Sequence, residues 1–407
     1  MTDCGSSLSE RKAWALRRGD RLWLWPEVEP REWQIAMAEI ERTCAAVLGG
    51  STARLGGAPA PIGLAAFTSG VGPLLGWWID QGLVSPSSAE VRDICLHQLH
   101  ANGERMERLL GHAGEITSRF ASAGIGVSLL KGAHTASTYF PHASCRPMAD
   151  IDLLVGSDDG AAACVVLRSS GYREAVRSSI ESTWKHVDSA REPRTVLSLE
   201  ADDPWAVDLH TSLDIPGPPG ASRARLSLAS HLTSPSRDLP GARQLRQPVL
   251  LMHLSAHAGS GFHSLTLLRL VEIGLVARKD RADGSLDWDE FLDLGEATGS
   301  LAFAYPALDL ARRLSPEDIP QPVVERCAKE APSRIRRLVG QLRPATAHRI
   351  HEPTLLEHFA WTRGVGGWLR RLAADLVPEP GSMSTTAAIQ ASRVRGLVRR
   401  GASQPMP

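Results

Sequence analysis

No two of the six cysteines (Cys4, Cys44, Cys95, Cys145, Cys164 and Cys327) stand at Cys-x-x-Cys spacing in this 407-residue chain. That scatter argues against a zinc site or a disulfide frame and fits reduced thiols in a cytoplasmic protein. Neither sign of charge is in excess, with 45 lysines and arginines against 45 aspartates and glutamates, so a generally basic nucleic-acid binder is not indicated. The chain lacks a GxSxG elbow, a GxxxxGK[ST] P-loop and a GxGxxG strand-turn-helix, which removes the signatures of the common hydrolase, P-loop and dinucleotide-binding classes. His253 and His257 are four apart, but no glutamate follows His253 as a zinc protease motif requires. With His263 nearby, they read as one face of a helix packing under the strand-bearing region rather than as metal ligands. Met1 to Arg18 has no apolar leader core, and no internal repeat is visible.

One long uncharged stretch, Leu55 to Ile79, has the length of a membrane span. It contains six glycines and the prolines Pro59, Pro61 and Pro73, which make a poor continuous helix. The expectation is a loop followed by a buried helix near Leu64 to Trp78, and no membrane partner.

What the chain does have is a pair of carboxylates at the start of an apolar run. Arg146-Pro147-Met148-Ala149-Asp150-Ile151-Asp152-Leu153-Leu154-Val155 reads as a loop leading into a strand. Alternate side chains of a strand share a face, so Asp150 and Asp152 project together while Ile151 points away. Two carboxylates that close repel unless one is protonated or a cation lies between them. Hard oxygen ligands so placed suit Mg²⁺ (or Mn²⁺), which in turn suits a substrate's phosphates. Trp205-Ala206-Val207-Asp208-Leu209-His210 is a second strand-like run, and a neighbouring strand could bring Asp208 beside the first two. His210, two residues on, shares that face and reads as a hydrogen-bonded structural histidine.

Around these lie the other pieces of a small sheet. Ala123 to Lys131 reads as a first strand, and Gly132 begins a turn into a helix. Ala161 to Ser169 has helical spacing and is followed by Gly171-Tyr172-Arg173-Glu174. Thr195 to Leu199 and the Val207 run suit an antiparallel pair across Asp202-Asp203-Pro204. The fold class expected is α+β, a small mixed β-sheet flanked by N- and C-terminal helical regions. Residues 1–122 read as helical, with Glu32 to Val47 and Ser88 to Arg119 the clearest helices. The sheet core occupies 123–215, helices return over 216–377, and 378–407 read as a loosely ordered tail. Its Arg393, Arg395, Arg399 and Arg400 read as solvated.

The ordered set of Leu129-Leu130-Lys131-Gly132, the Tyr139 to Val155 segment, Gly171 to Glu174 and Val207-Asp208-Leu209-His210 resembles a bacterial family of uncharacterised nucleotidyltransferases, within the superfamily of DNA polymerase β. The likeness covers most of Ala60 to Leu314. It implies transfer of a nucleoside monophosphate from an NTP to an acceptor hydroxyl. Asp150, Asp152 and Asp208 would then be catalytic and metal-holding, with Asp208 either the base or a ligand of the catalytic ion. In the wider superfamily a Gly-Ser turn holds the phosphates. Here the turn is Lys131-Gly132-Ala133, so the resemblance leaves phosphate contacts to the Gly132 backbone, the Lys131 charge, a hydroxyl of Thr135 or Ser137, and Arg146 as a clamp. The acceptor (small molecule, peptide, protein or RNA) is left open. So are a non-catalytic nucleotide- or peptide-binding protein of the same fold, a toxin-type enzyme acting on tRNA or protein, and a tailoring enzyme for a small natural product.

Overall fold

The computed structural model describes residues 28–178, 180–187, 204–215, 232–236, 239–261, 265–347 and a few positions between 360 and 369. The chain forms two compact units, Met1–Pro216 with Arg223–Pro353, and Gly217–Ser222 with Thr354–Pro407. Every element named below lies in the first. Thr195 to Leu199, Cys4, His263 and the arginine-bearing tail fall outside the described residues.

The architecture is α+β. Helix α1 (Pro30–Leu48) starts where local chemistry favours it, with Pro30 at its first position and a capping box between Glu29 and Glu32. The uncharged stretch forms two buried helices, α2 (Pro59–Ser69) and α3 (Gly72–Asp80), preceded by the short strand β1 (Ala53–Leu55), which pairs with β2 (Val84–Pro86). The helices are bent by 116° at their junction, and among the described residues no single helix is long and apolar enough to cross a membrane. Where one helix was expected, Gly70 and Pro73 divide the run. Helix α3 packs closely on the 34-residue α4 (Ala89–Ser122), because a Cβ on Gly76 would overlap the carbonyl oxygen of Cys95.

The main sheet runs in the order β5-β6-β7-β4-β3-β9-β8. Its members are β3 (Val127–Leu129), β4 (Asp150–Val155), β5 (Tyr172–Arg177), β6 (Glu181–His186), β7 (Ala206–His210), β8 (Thr233–Pro235) and β9 (Ala242–Leu245). At its centre β4 lies antiparallel to β3 and parallel to β7. On one face Ile151, Leu153 and Val155 of β4 join Val207 and Leu209 of β7 and Trp184 of β6. They pack under α4 through Leu109, Ala113, Ile116 and Phe120, at the three-, four- and seven-residue steps of an apolar helix stripe, and under α6 (Gly160–Ser169). Each of the larger side chains, fully buried, contributes about 1.5–3 kcal/mol.

Two details depart from expectation. The first strand shrinks to Val127–Leu129, because Lys131 already opens helix α5 (Lys131–Thr138), although Leu130 N–H still bonds the Asp152 carbonyl at 3.1 Å. The region after residue 216, read as helical, also contributes β8 and β9, and β9 lies parallel to β3. Strands of three and four residues with polar centres carry no periodicity to betray them. The helices then resume as α7 (Val249–Ser260), α8 (Leu267–Ala282), α9 (Trp288–Thr298) and α10 (Leu301–Leu314).

Candidate active site

The register of two parallel strands assembles the carboxylates. Asp152 on β4 is the partner of Asp208 on β7, and Leu154 is the partner of His210. In-register neighbours of a parallel pair point to the same face, so Asp150, Asp152, Asp208 and His210 all project opposite the apolar core. The strand-pattern expectation for these four residues thus corresponds to one sheet face.

The charges around them are unequal. Asp152 is 5% exposed, and its Oδ1 receives Lys131 Nζ at 2.7 Å and His210 Nε2 at 3.2 Å. Burial works to raise this carboxyl, but Lys131 and His210 outweigh it and hold it well below the usual carboxylate range. The other His210 nitrogen, Nδ1, faces Glu181 Oε2 at 3.5 Å, so the histidine bridges two carboxylates. Asp150 behaves in the opposite way. Burial, then repulsion from Asp152 and Asp208, push its carboxyl up to about 6 against the pull of Lys131 and Arg146. Burial likewise raises Asp208, whose Oδ1 is buried with no hydrogen-bond partner. Neighbouring carboxylates whose environments drive them apart in proton affinity suit division into different roles.

The turn beside them is strained. Lys131 has φ 44°, a left-handed conformation that a residue with a Cβ adopts at a cost of order 1–3 kcal/mol. It places the ammonium on Asp152. Gly132 also gives room to its neighbours: a Cβ there would overlap Met148 Sδ and Arg146 Nη1. Arg146 itself makes a bidentate pair with Glu272 of α8, Nε to Oε1 at 3.0 Å and Nη2 to Oε2 at 3.1 Å, and Nη1 donates to the Pro147 carbonyl. The Thr135 hydroxyl contacts the Lys131 carbonyl and Glu272. Helix α4 pins the loop that carries Arg146 to Asp150: Asn102 Nδ2 donates to the Ser144 carbonyl at 2.6 Å and Arg105 Nε to the Met148 carbonyl at 3.1 Å.

A cavity of about 220 Å³ opens over Asp150 and Asp152. Its far wall comes from α7 and α8, with His257, Arg269 and Glu272 as the polar groups and Leu254, Leu268 and Ile273 as the apolar ones. The volume lies below the ~300–1,000 Å³ of drug-sized ligand sites, so it suits a compact polar group with the rest of a ligand outside. His253 and His257 do share a helix, with ring centroids 5.8 Å apart. Burial, helped by Lys131 and His210, lowers His253 to about 3, which leaves it neutral. Among the described residues, no group of three or more His, Cys, Asp or Glu side chains forms a ready-made ion cage.

Sequence reasoning missed Glu272, Arg269 and the cavity position of His257. The available signal was Arg269-Leu270-Val271-Glu272, two charges inside the otherwise apolar run from Leu267 to Val276. Charges on a helix that apolar are buried only with partners or a purpose.

The mixed sheet bears three carboxylates on one face, with Asp152 and Asp208 in register and Asp150 and Asp152 lining a polar cavity. Residues 65–316, well over half the chain, match the family described as uncharacterised nucleotidyltransferase, and the chain belongs to that family. No curated protein and no solved structure gives a match.

Proposed function

We propose that the protein is a metal-dependent nucleotidyltransferase that uses an NTP as donor. The observation that carries this reading is the placement of Asp150, Asp152 and Asp208 on one face of two registered parallel strands, in a chain of the nucleotidyltransferase family.

The donor set fits Mg²⁺, with Mn²⁺ as substitute. Asp208 Oδ1 is an orphaned buried oxygen, Asp150 is pushed toward protonation by burial and by the neighbouring carboxylates, and Asp152 keeps Oδ2 while Oδ1 serves Lys131 and His210. Mg²⁺ commonly takes one or two carboxylates and completes its shell with water and substrate phosphates. Held by Asp150 and Asp152, it would neutralise charge on the reacting phosphoryl group.

The chain's own residues supply the rest. Asp208, raised by burial, takes the proton of the acceptor hydroxyl as that oxygen bonds to the α-phosphorus. The bond from that phosphorus to the β-bridging oxygen breaks, and pyrophosphate leaves with the electron pair. Lys131 and His210 keep Asp152 ionised, and the Arg146–Glu272 pair holds the loop leading into β4. Incubation with each labelled NTP, Mg²⁺ and cell extract should label an acceptor, and Asp152→Asn and Asp208→Asn should abolish labelling. Full labelling by Asp152→Asn would refute the assignment.

One observation favours a second reading, a non-catalytic nucleotide-binding protein. The Lys131 ammonium sits on Asp152 where a cation would, beside a turn that lacks the serine. Calorimetry that finds NTP binding with Mg²⁺, together with no product, would select it.

A further inference from the structure

We propose that Arg269, in the first turn of α8, is the cation that holds the phosphates, so that this site grips a metal-complexed oligophosphate from the helical wall and not from the Gly132 turn. The inference rests on the nucleotide-binding reading above and deepens it by naming the phosphate contact.

The argument begins with pairing. Three cations and three carboxylates line the cavity. Lys131 is taken by Asp152 at 2.7 Å, and Arg146 by Glu272 at 3.0 Å. Arg269 and Asp150 are left over, and neither side chain makes a hydrogen bond or a salt bridge among the described residues. Arg269 is half-buried in the cavity wall, and a guanidinium partly withdrawn from water without a hydrogen-bonded partner is held at a cost. Its position adds to that cost. Thr266 is the N-cap of α8 and makes no side-chain cap, and Arg269 stands third in a first turn that has no acidic residue. Positive charge there opposes the helix dipole. Burial and the neighbouring Arg146 act against the charge on Arg269, and outweigh the longer-range pull of Glu272, Asp150 and Asp152.

An anion in the cavity reverses each of these penalties. It pairs with the guanidinium, whose planar fork matches phosphate oxygens two at a time, and it lies at the start of a 16-residue helix. The leftover carboxylate narrows the choice. A bare anion would meet Asp150 on the opposite wall, whereas an oligophosphate carrying a divalent cation complements Asp150 and Arg269 together. The Gly132 turn has no room for this role, because Met148 and Arg146 fill the space beside its Cα.

The test is calorimetric titration of the full chain with inorganic tripolyphosphate and Mg²⁺, a probe with no nucleoside to transfer. Wild type should bind, Arg269→Gln should bind at least tenfold more weakly, and Arg269→Lys should recover part of the loss. Without ligand, Arg269→Gln should melt at the wild-type temperature or above it. Equal binding by Arg269→Gln, no binding by wild type, or a lower melting temperature without ligand (the mark of a structural arginine) would each overturn the proposal. The two readings fail separately. Tripolyphosphate binding that depends on Arg269, with no NTP turnover, keeps the subsite and removes the transfer reaction. NTP turnover with unchanged KM in Arg269→Gln keeps the reaction and removes the subsite.

Discussion

Asp150 should destabilise the folded protein at neutral pH, and removing its charge should stabilise it. Burial, with Asp152 and Asp208 alongside, raises this carboxyl from 3.8 to about 6. Between those values the folded chain binds a proton that the unfolded chain has released, so stability falls as pH rises through about 4 to 6. At about 1.36 kcal/mol per decade the full cost above pH 6 is roughly 3 kcal/mol. Asp150→Asn removes the titration and keeps the shape, and its amide can donate to the carboxylates beside it. In urea unfolding followed by tryptophan fluorescence, with EDTA present, the variant should exceed wild type by about 2–3 kcal/mol at pH 8. The difference should vanish as pH falls below about 4, where Asp150 is protonated in the folded and the unfolded chain alike. Mg²⁺ with tripolyphosphate should then stabilise wild type more than the variant. A variant no more stable than wild type at pH 8, or a gap that ignores pH, would refute the reasoning.

Two further perturbations test the neighbouring contacts. Lys131→Met leaves Asp152 buried with His210 alone and should cost about 2–4 kcal/mol at pH 7 in the same urea assay. Because the Asp152 carboxyl is held low in the fold, its stabilisation is present above the ordinary unfolded value near 4 and lost as pH falls further. The wild-type advantage should therefore shrink on acidification, and a loss below about 0.5 kcal/mol at pH 7 would remove the pair from the account. Gly132→Ala drives a methyl into Met148 and Arg146 and should cost about 1–3 kcal/mol; an unchanged urea midpoint would mean that wall can yield.

What the sequence disclosed, and what it hid, follows from how far each contact reaches. The side-chain face of Asp150 and Asp152 is a property of six consecutive residues, and the alternation with Ile151, Leu153 and Val155 declares it. Helices α1 and α4 are long amphipathic patterns and were legible within a few residues. The position of Asp208 beside Asp152 is a register between strands far apart in sequence, so the residue type pointed to it while the pairing awaited the fold. The engagement of Arg146 was open because a guanidinium reads the same whether it meets a phosphate or Glu272, 126 residues away. Lys131 was expected to end a strand. It opens a helix instead, in a left-handed conformation that no propensity favours for lysine.

The helices beyond the sheet are part of the site. Without them the sheet side would carry Asp150, Asp152 and Asp208 with Lys131 and Arg146, and no opposite wall. The C-terminal region adds Arg269 and Glu272 to the cavity wall, and through Glu272 it fixes the sheet's own turn. The same helix α8 accepts a hydrogen bond from Tyr139, after α5, on Asp280 at 2.9 Å, and Gln247 reaches that carboxylate at 2.6 Å. Strand β9 completes the attachment by pairing with β3 just before Lys131. A segment ended at residue 215 would leave β3 an open edge, Arg146 without its acceptor and the cavity without its far wall. The cavity over Asp150 and Asp152 is therefore built jointly by the sheet and by α8, so the proposed oligophosphate subsite is a property of the sheet and the C-terminal helices together.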